Sequence, residues 1–174
     1  MVRPRMSKAF TREDDSVAES PVVLTPASPL PSGAKNYMTP KGEQTLRTEL
    51  TRLIEVERPA ALALEDAEES KRELHLLDQR IVQLQNTLQT AEIVTPPAPP
   101  HTQVLFGATV TVRDQFGEES RYRIVGVDET DLDNDEVSWI SPIAKTLLNA
   151  KLGEKVKFRF PAGEDVLEII GIKY

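Results

Sequence analysis

The segment of residues 74–88, LHLLDQRIVQLQNTL, decides the fold of the N-terminal half of this chain. Its apolar residues recur at alternating steps of three and four, at Leu74, Leu77, Ile81, Leu84 and Leu88. This spacing is the narrow apolar stripe of a helix that pairs lengthwise with another helix. A partner helix is therefore expected close by in the sequence.

A matching stripe lies upstream, at Leu46, Leu50, Leu53, Glu57, Ala60 and Leu64. Thr39 and Pro40 before it are typical of an N-cap and a first helical residue. Pro59 lies inside this arm, where it should remove one backbone hydrogen bond and kink the helix without ending it. The two stripes predict an antiparallel helical hairpin over residues 37–94, with its turn near Asp66 to Ser70 and arms of about 23 to 27 residues, or roughly 35 to 40 Å.

The flanking segments differ in composition from the hairpin. Residues 1–36 contain five of the 13 prolines and one aromatic residue, which predicts a disordered tail rich in Pro and Ser. Residues 95–100, TPPAPP, predict a stiff extended linker. Residues 101–174 contain seven of the nine aromatic residues, so the globular core is expected there.

In this last domain, alternating apolar residues predict strands over residues 109–113, 120–127, 137–140, 155–160 and 166–172. Ser141 and Pro142 open a short helix that runs to Leu148. Trp139 and Phe158 fit core positions better than a ligand pocket. The fold class is therefore α+β, with a helical hairpin followed by a small antiparallel sheet and one helix.

Composition narrows the range of functions. The 174 residues include 28 acidic and 21 basic side chains, for a net charge of −7, which argues against a general nucleic-acid coat. Without cysteine there is no disulfide, thiol nucleophile or cysteine zinc site. His75 and His101, the two histidines, are predicted surface residues with no partner at metal-ligand spacing. No apolar stretch is long enough for a membrane span or a signal peptide, so we expect a cytoplasmic protein.

Several strings carry a resemblance to a known family: NYMTPKG at 36–42, ERP at 57–59, LDQRI at 77–81, FGA at 106–108, YRIVG at 122–126, SPIAKTLL at 141–148 and PAGE at 161–164. Together with the order of hairpin, linker and β-rich domain, they resemble the bacterial Gre factors, most of all the GreB branch. The resemblance implies an FKBP-like last domain, binding to RNA polymerase, and a coiled coil that enters the secondary channel of the polymerase.

The hairpin tip departs from this family. Cleavage-competent members carry a Gly-Asp-Xaa-Ser-Glu-Asn tip whose carboxylates help to hold a magnesium ion of the polymerase, and no such string is present here. Matching the landmarks on either side leaves this hairpin about thirteen residues short, which shortens its reach by roughly 10 Å. Magnesium needs its oxygen ligands at about 2.0 to 2.1 Å, so a tip held that far back cannot supply one.

Three groups of residues are candidates for function. At the tip, Glu65, Asp66, Glu68 and Glu69 fit either a functional acidic cluster or a solvated helix turn that favours the helix dipole. In the docking segment of the family, Ser141 and Pro142 are kept, but Ile140 replaces the usual Asp. Basic hairpin residues fit contacts with polymerase or nascent RNA, or ordinary pairing with neighbouring acids; these are Arg47, Arg52, Arg58, Lys71, Arg72 and Arg80.

A further acidic run, residues 128–136, has alternating carboxylates that resemble a calcium loop. It lacks the central Gly and the closing Glu of such loops. We therefore predict a solvated loop and no metal site.

The resemblance leads to an interpretation of function. The chain is expected to be a Gre-like transcription elongation or regulatory factor that binds RNA polymerase and inserts its coiled coil without efficiently stimulating transcript cleavage. It is not expected to be an enzyme, since it would at most stimulate hydrolysis by the polymerase. No cofactor of its own, membrane or small-molecule substrate is expected.

Two alternatives stay open. One is an active GreB-type cleavage factor in which Asp66 and Glu68 or Glu69 replace the missing acids and share magnesium with the polymerase active site. The other is a coiled-coil adaptor for a partner other than polymerase. Retention of polymerase and a cleavage assay separate these three functions.

Overall fold

Two helical arms and a five-stranded sheet make up the described part of the chain. The structure is a computed structural model that describes residues 30, 31, 33–160 and 163–174. Its helices are α1 (Pro40–Arg52), α2 (Arg58–Leu62), α3 (Ala67–Thr90) and α4 (Pro142–Leu147). Its strands are β1 (Asn36–Met38), β2 (Ala91–Ile93), β3 (Thr109–Arg113), β4 (Glu119–Val125), β5 (Glu136–Ser138), β6 (Lys155–Phe160) and β7 (Gly163–Lys173).

The first arm is α1 joined to α2 through a π-helical turn, Leu53–Glu57, in which the Arg58 N–H bonds to the carbonyl of Leu53 five residues earlier. Pro59 follows directly, and its ring crowds the carbonyl four residues before it. The wider turn accommodates this crowding, and the arm continues to Leu62. Pro59 thus leaves the arm unbroken, as expected.

The π turn also shifts the apolar register of the first arm. Leu46 and Leu53 are buried as predicted, but beyond the turn Ala61 is buried while Ala60 is exposed and Leu64 is 39% exposed. The predicted inward positions Ala60 and Leu64 are therefore wrong. A π turn takes up one residue more than an α turn, so the inward face moves by one position.

The second arm keeps its predicted stripe, with Leu77, Ile81 and Leu84 buried and Leu74 and Leu88 packed beside them. The turn between the arms lies earlier than predicted. The first arm ends at Leu62, and α3 already begins at Ala67, behind an Asp66 N-cap. The predicted turn near Asp66 to Ser70 is thus wrong, because the Asp66 side chain bonds the backbone of the next helix and starts it early.

A short parallel pair of strands closes the base of the hairpin, with Asn36, Tyr37 and Met38 opposite Ala91, Glu92 and Ile93. This pair is not apparent from the sequence. Asn36 is buried, and its amide donates to the Thr87 carbonyl and to the Thr90 hydroxyl. Strand β1 therefore begins inside the segment predicted as a tail, while residues 1–29 of that segment lie outside the described residues.

The sheet has the order β5-β4-β3-β7-β6. Its pairs are antiparallel except for β4 with β5, which is parallel, so the predicted antiparallel sheet is mixed. Helix α4 lies against this sheet, and the core between them contains Val110, Ile124, Leu147 and Ile169. Trp139 and Phe158 pack at its edge, as predicted. The α+β fold class is confirmed.

None of the helices in the described ranges is long and apolar enough to cross a membrane.

Candidate functional site

The hairpin tip is held together by backbone hydrogen bonds to its acidic residues. The Asp66 carboxylate accepts from the N–H groups of Glu68 and Glu69 at 2.8 and 3.0 Å. The Ser70 hydroxyl donates to the Ala61 carbonyl at 2.8 Å, which ties the start of α3 to the end of α2. Asp66 is therefore an N-cap whose acceptor oxygen is already used by the helix.

The other acids of the tip do not gather around a common point. Glu68 pairs with Lys71 at 2.9 Å, one turn along the same helix. Among the described residues no group of three or more carboxylate or imidazole side chains is arranged to hold a metal ion.

The basic residues of the hairpin are engaged with neighbouring groups. Arg58 forms a 2.8 Å ion pair with Asp78 across the two arms, as Arg80 does with Glu49 at 2.9 Å. The remaining contacts join residues close in sequence: Arg47 with Glu43, Arg52 with Glu57, Lys71 with Glu68, and Arg72 with the carbonyl of Glu68. This arrangement supports the pairing interpretation, although most of these side chains stay exposed enough to reach a partner.

The segment 140–142, for which the resemblance implies docking on polymerase, lies at the start of α4. Ser141 is the N-cap, and its hydroxyl accepts from the Ala144 N–H at 3.3 Å. Pro142 is exposed at the first helical position, whereas Ile140 is half-buried and its N–H donates to the Ser138 hydroxyl at 3.4 Å. Ile140 therefore presents a half-buried apolar side chain directly before the N-cap residue.

The acidic run 128–136 is exposed at residues 130–134, as its composition predicts, but its ends are bonded to other elements. It forms two short 3-10 turns, Val127–Glu129 and Leu132–Asn134, before strand β5. Glu129 reaches the hairpin, where its carboxylate accepts from the Thr39 N–H at 2.9 Å and also from the Thr39 hydroxyl. Glu136, 17% exposed, lies 3.6 Å from Lys41 of α1 and 3.3 Å from Arg123 of β4.

Two carboxyl groups of this loop have pKa values shifted by their surroundings. Burial raises the pKa of the Asp128 carboxyl, and the positive charge of Arg80 on α3 partly opposes that rise. A hydrogen bond from the Asn134 amide lowers the pKa of Asp131, helped by the Asp133 N–H. Through Glu129 and Glu136, the loop is a structured connection between the sheet and the hairpin.

The two histidines lie away from these contacts. His75 is exposed on α3 beside Gln79, as predicted. His101 is half-buried, with its ring 4.7 Å from the Tyr174 ring, so it is not a plain surface residue. The hydroxyl of Tyr174 accepts a hydrogen bond from the Leu105 N–H, which joins residue 174 to the start of the C-terminal domain.

Residues 99–174 match the family model described as "Transcription elongation factor, GreA/GreB, C-term". The chain is 37% identical to the transcription elongation factor GreB of Neisseria meningitidis serogroup B over 154 residues, which cover 80% of this chain and 94% of that protein. It is also 40% identical to the GreB of Pseudomonas aeruginosa over 151 residues, which cover 79% of this chain and 89% of that protein. The chain belongs to the GreA/GreB family of transcription elongation factors.

Among solved structures, a GreA/GreB elongation factor from Nitrosomonas europaea matches with a TM-score of 0.41 and 20% identity, covering 81% of this chain and 99% of that chain. The GreA factor homolog 1 of Thermus thermophilus matches with a TM-score of 0.39 and 21% identity, covering 81% of this chain and all of that one. Within this Gre factor, the structure does not bring the three groups of candidate residues into one site. The tip acids and the docking segment lie in different parts of the molecule.

Sequence reasoning missed the junction between the two parts of the Gre factor. Glu129 and Thr39 are separated by 90 residues, and no local spacing joins them. The available sequence signal for this junction was the pair Gly42 and Gly126, which lie in the strings that carry the family resemblance.

Proposed function

We propose that this Gre factor binds RNA polymerase through its C-terminal domain and occupies the secondary channel with its hairpin, without efficiently stimulating transcript cleavage. The proposal depends on the length of the hairpin and on the structure of its tip. Its first arm has about 23 residues and α3 has 24, so the arms reach about 35 Å from the base. At the turn, the Asp66 carboxylate is used to cap α3.

The lengths of the relatives support this proposal. The alignment with the Neisseria GreB runs over 154 residues, whereas 80% of this 174-residue chain is about 139 residues. About 15 aligned positions therefore have no counterpart in this chain. That difference is of the size that two hairpin arms, each shorter by about seven residues, would produce.

The distance requirement of metal coordination explains why a factor with short arms would not stimulate transcript cleavage. A carboxylate that assists a polymerase metal must approach within about 2.1 Å of it, and each missing residue withdraws the tip by about 1.5 Å. A shortfall of several residues in each arm leaves a gap that side-chain rotation does not close. Occupation of the channel tolerates the same shortfall, because it depends on the width of the coil.

The test uses stalled, backtracked polymerase complexes with this protein, the Pseudomonas GreB as the cleaving control, and buffer alone. We expect this protein to be retained by polymerase, to displace labelled GreB from it, and to leave the cleavage rate close to that of buffer. Cleavage at the rate of GreB would overturn the proposal in favour of the active factor. Triple replacement of Asp66, Glu68 and Glu69 by Ala would then have to abolish that activity.

Retention of polymerase separates the remaining alternative. A protein that does not bind polymerase, but is recovered with a different stable partner, would instead be an adaptor. Nascent RNA contact by the basic residues is tested in the same complexes by replacing Arg47 and Arg52 with Gln, which should weaken RNA crosslinking only if those side chains reach the transcript.

A further inference from the structure

Glu129 connects the hairpin to the sheet domain through a single carboxylate. One oxygen accepts two backbone N–H groups, from Thr39 and from Gly126, each at 2.9 Å. The other oxygen accepts from the Thr39 hydroxyl, which itself accepts from the Gly42 N–H at 3.0 Å. The N-cap of α1 is therefore bonded to the turn after β4, across 90 residues of sequence.

The junction is shaped to admit this carboxylate. A side chain at Gly42 would overlap the Glu129 carboxylate, and a side chain at Gly126 would overlap both that carboxylate and the Tyr37 carbonyl. Thr39 is 4% exposed, so its hydrogen bonds to Glu129 are shielded from water. Charge-assisted bonds in such a site are short and directional, which holds the two parts in one relative orientation.

An aromatic contact lies beside the carboxylate. The Tyr37 ring of β1 packs edge-on against the Trp139 ring, with 5.2 Å between centroids, and lies 5.7 Å from the Phe106 ring. Trp139 directly precedes Ile140 of the proposed docking segment, and the backbone N–H of Trp139 donates to the Val125 carbonyl at 2.9 Å. The hairpin base thus packs on residues next to the surface at which the proposed docking takes place.

We propose that Glu129 is a positioning residue that fixes the angle of the hairpin on the C-terminal domain, so that docking of the domain aims the tip. Because the tip lies far from this junction, a small rotation at the junction produces a large displacement of the tip. At an arm length of about 35 Å, a rotation of about 10° at the base moves the tip by about 6 Å. The angle is a property of the free protein, and only its use in the polymerase channel rests on the proposed function.

The angle can be measured directly, since the chain contains no cysteine. Glu65→Cys at the tip and Gln115→Cys in the exposed turn between β3 and β4 provide two spin-label sites without background. Pulsed dipolar spectroscopy of this pair in the full chain should give one narrow distance distribution. Emission from Trp139, the single tryptophan, reports on the same junction.

In this labelled chain, Glu129→Ala should broaden or shift the distance distribution and move Trp139 emission to longer wavelength. Glu129→Asp, which keeps the charge but is shorter by one methylene, should do the same. Glu129→Gln should stay close to the parent, because its amide can accept from both N–H groups and donate to the Thr39 hydroxyl oxygen. Asp133→Ala, an exposed acid in the same loop with no side-chain hydrogen bond recorded among the described residues, is the matched control.

These variants separate positioning from simple stabilisation. Circular dichroism at the temperature of measurement establishes that each variant is folded, and an unfolded Glu129→Ala leaves the comparison to Glu129→Asp and Glu129→Gln. Unchanged distance distributions in folded Glu129→Ala or Glu129→Asp would overturn the proposal. So would equal broadening in Asp133→Ala.

A second readout tests the use of the angle on polymerase, with unlabelled proteins. Glu129→Ala should need about a tenfold higher concentration than the parent to displace GreB, because the tip is aligned with the channel for a smaller fraction of the time. Glu129→Gln should restore the parent value. If the parent itself does not bind polymerase, the proposed function fails while the distance measurements still decide the role of Glu129. If the parent binds and Glu129→Ala competes equally well, the aiming role is overturned.

Discussion

At Gly126 the backbone of the sheet domain lies so close to the hairpin that the junction should be sensitive to a single substitution there. Its Cα faces the Tyr37 carbonyl and the Glu129 carboxylate, with no room for a Cβ. Gly126→Ala should therefore force the hairpin base away from β4, at a cost of about 1–3 kcal/mol, the usual cost of overpacking. Urea unfolding followed by Trp139 emission measures this change in the free energy of unfolding.

Gly171→Ala on β7 is the matched control for that substitution. A Cβ there would meet the Thr111 side chain at 3.5 Å, which is an ordinary van der Waals contact. The free energy of unfolding should stay within about 0.5 kcal/mol of the parent value. Equal losses from Gly126→Ala and Gly171→Ala would show that the close approach at residue 126 is not what constrains the junction.

At the same scale, the role of Glu129 was beyond the reach of sequence reasoning. A run of acidic residues predicts a solvated surface, because that prediction uses only the local composition. The contact of Glu129 with Thr39 depends instead on where the folded chain places two segments that are distant in sequence. Thr39 itself was predicted correctly as an N-cap, since capping uses only the neighbouring N–H groups. The sequence therefore predicts the N-cap bond of Thr39 within the hairpin, but not the bonds from Thr39 to Glu129 that join the two parts.

At the scale of elements, the two arms of the hairpin show what periodicity can and cannot predict. The stripe of α3 was predicted in full, because nothing in it interrupts the α-helical period. The stripe of the first arm is correct up to Leu53 and wrong after the π turn, where Ala61 replaces Ala60 on the buried face. The parallel pair β1–β2 joins the two ends of the hairpin, and the parallel pair β4–β5 joins consecutive strands through a ten-residue loop; neither has the tight turn that predicts a β-hairpin.

The start of α3 allows the tip to be tested as an element. Asp66→Ala removes the acceptor for two N–H groups, and losing an N-cap costs about 0.5–2 kcal/mol. Amide hydrogen exchange at Glu68 and Glu69 should speed up accordingly, whereas Glu65→Ala should leave it nearly unchanged. If exchange is the same in Asp66→Ala and the parent, Asp66 does not cap the helix and is free for another role.

At the scale of the whole molecule, the two proposals together involve three features: the segment 140–142 on the C-terminal domain, the hairpin angle at the junction, and the length of the hairpin. Segment 140–142 lies on the C-terminal domain and the tip lies at the far end of the hairpin, so we expect binding and tip chemistry to change independently. Because the arms project about 35 Å, small changes at the base and missing turns at the tip have effects of similar size. We therefore expect occupation of the channel and chemistry at the tip to be separable in this protein.

Length and chemistry at the tip can be restored one at a time. Inserting seven residues into each arm next to the turn extends the hairpin by about 10 Å and keeps the apolar seam in register, since seven residues make one heptad. With a Gly-Asp-Xaa-Ser-Glu-Asn turn, the extended hairpin should speed transcript cleavage at least about tenfold over the parent, or about 1.4 kcal/mol of barrier. The same insertion with the native turn, and the new turn on the native arms, should both remain inactive. Cleavage by the native-length chain bearing only the new turn would mean that reach does not limit this protein.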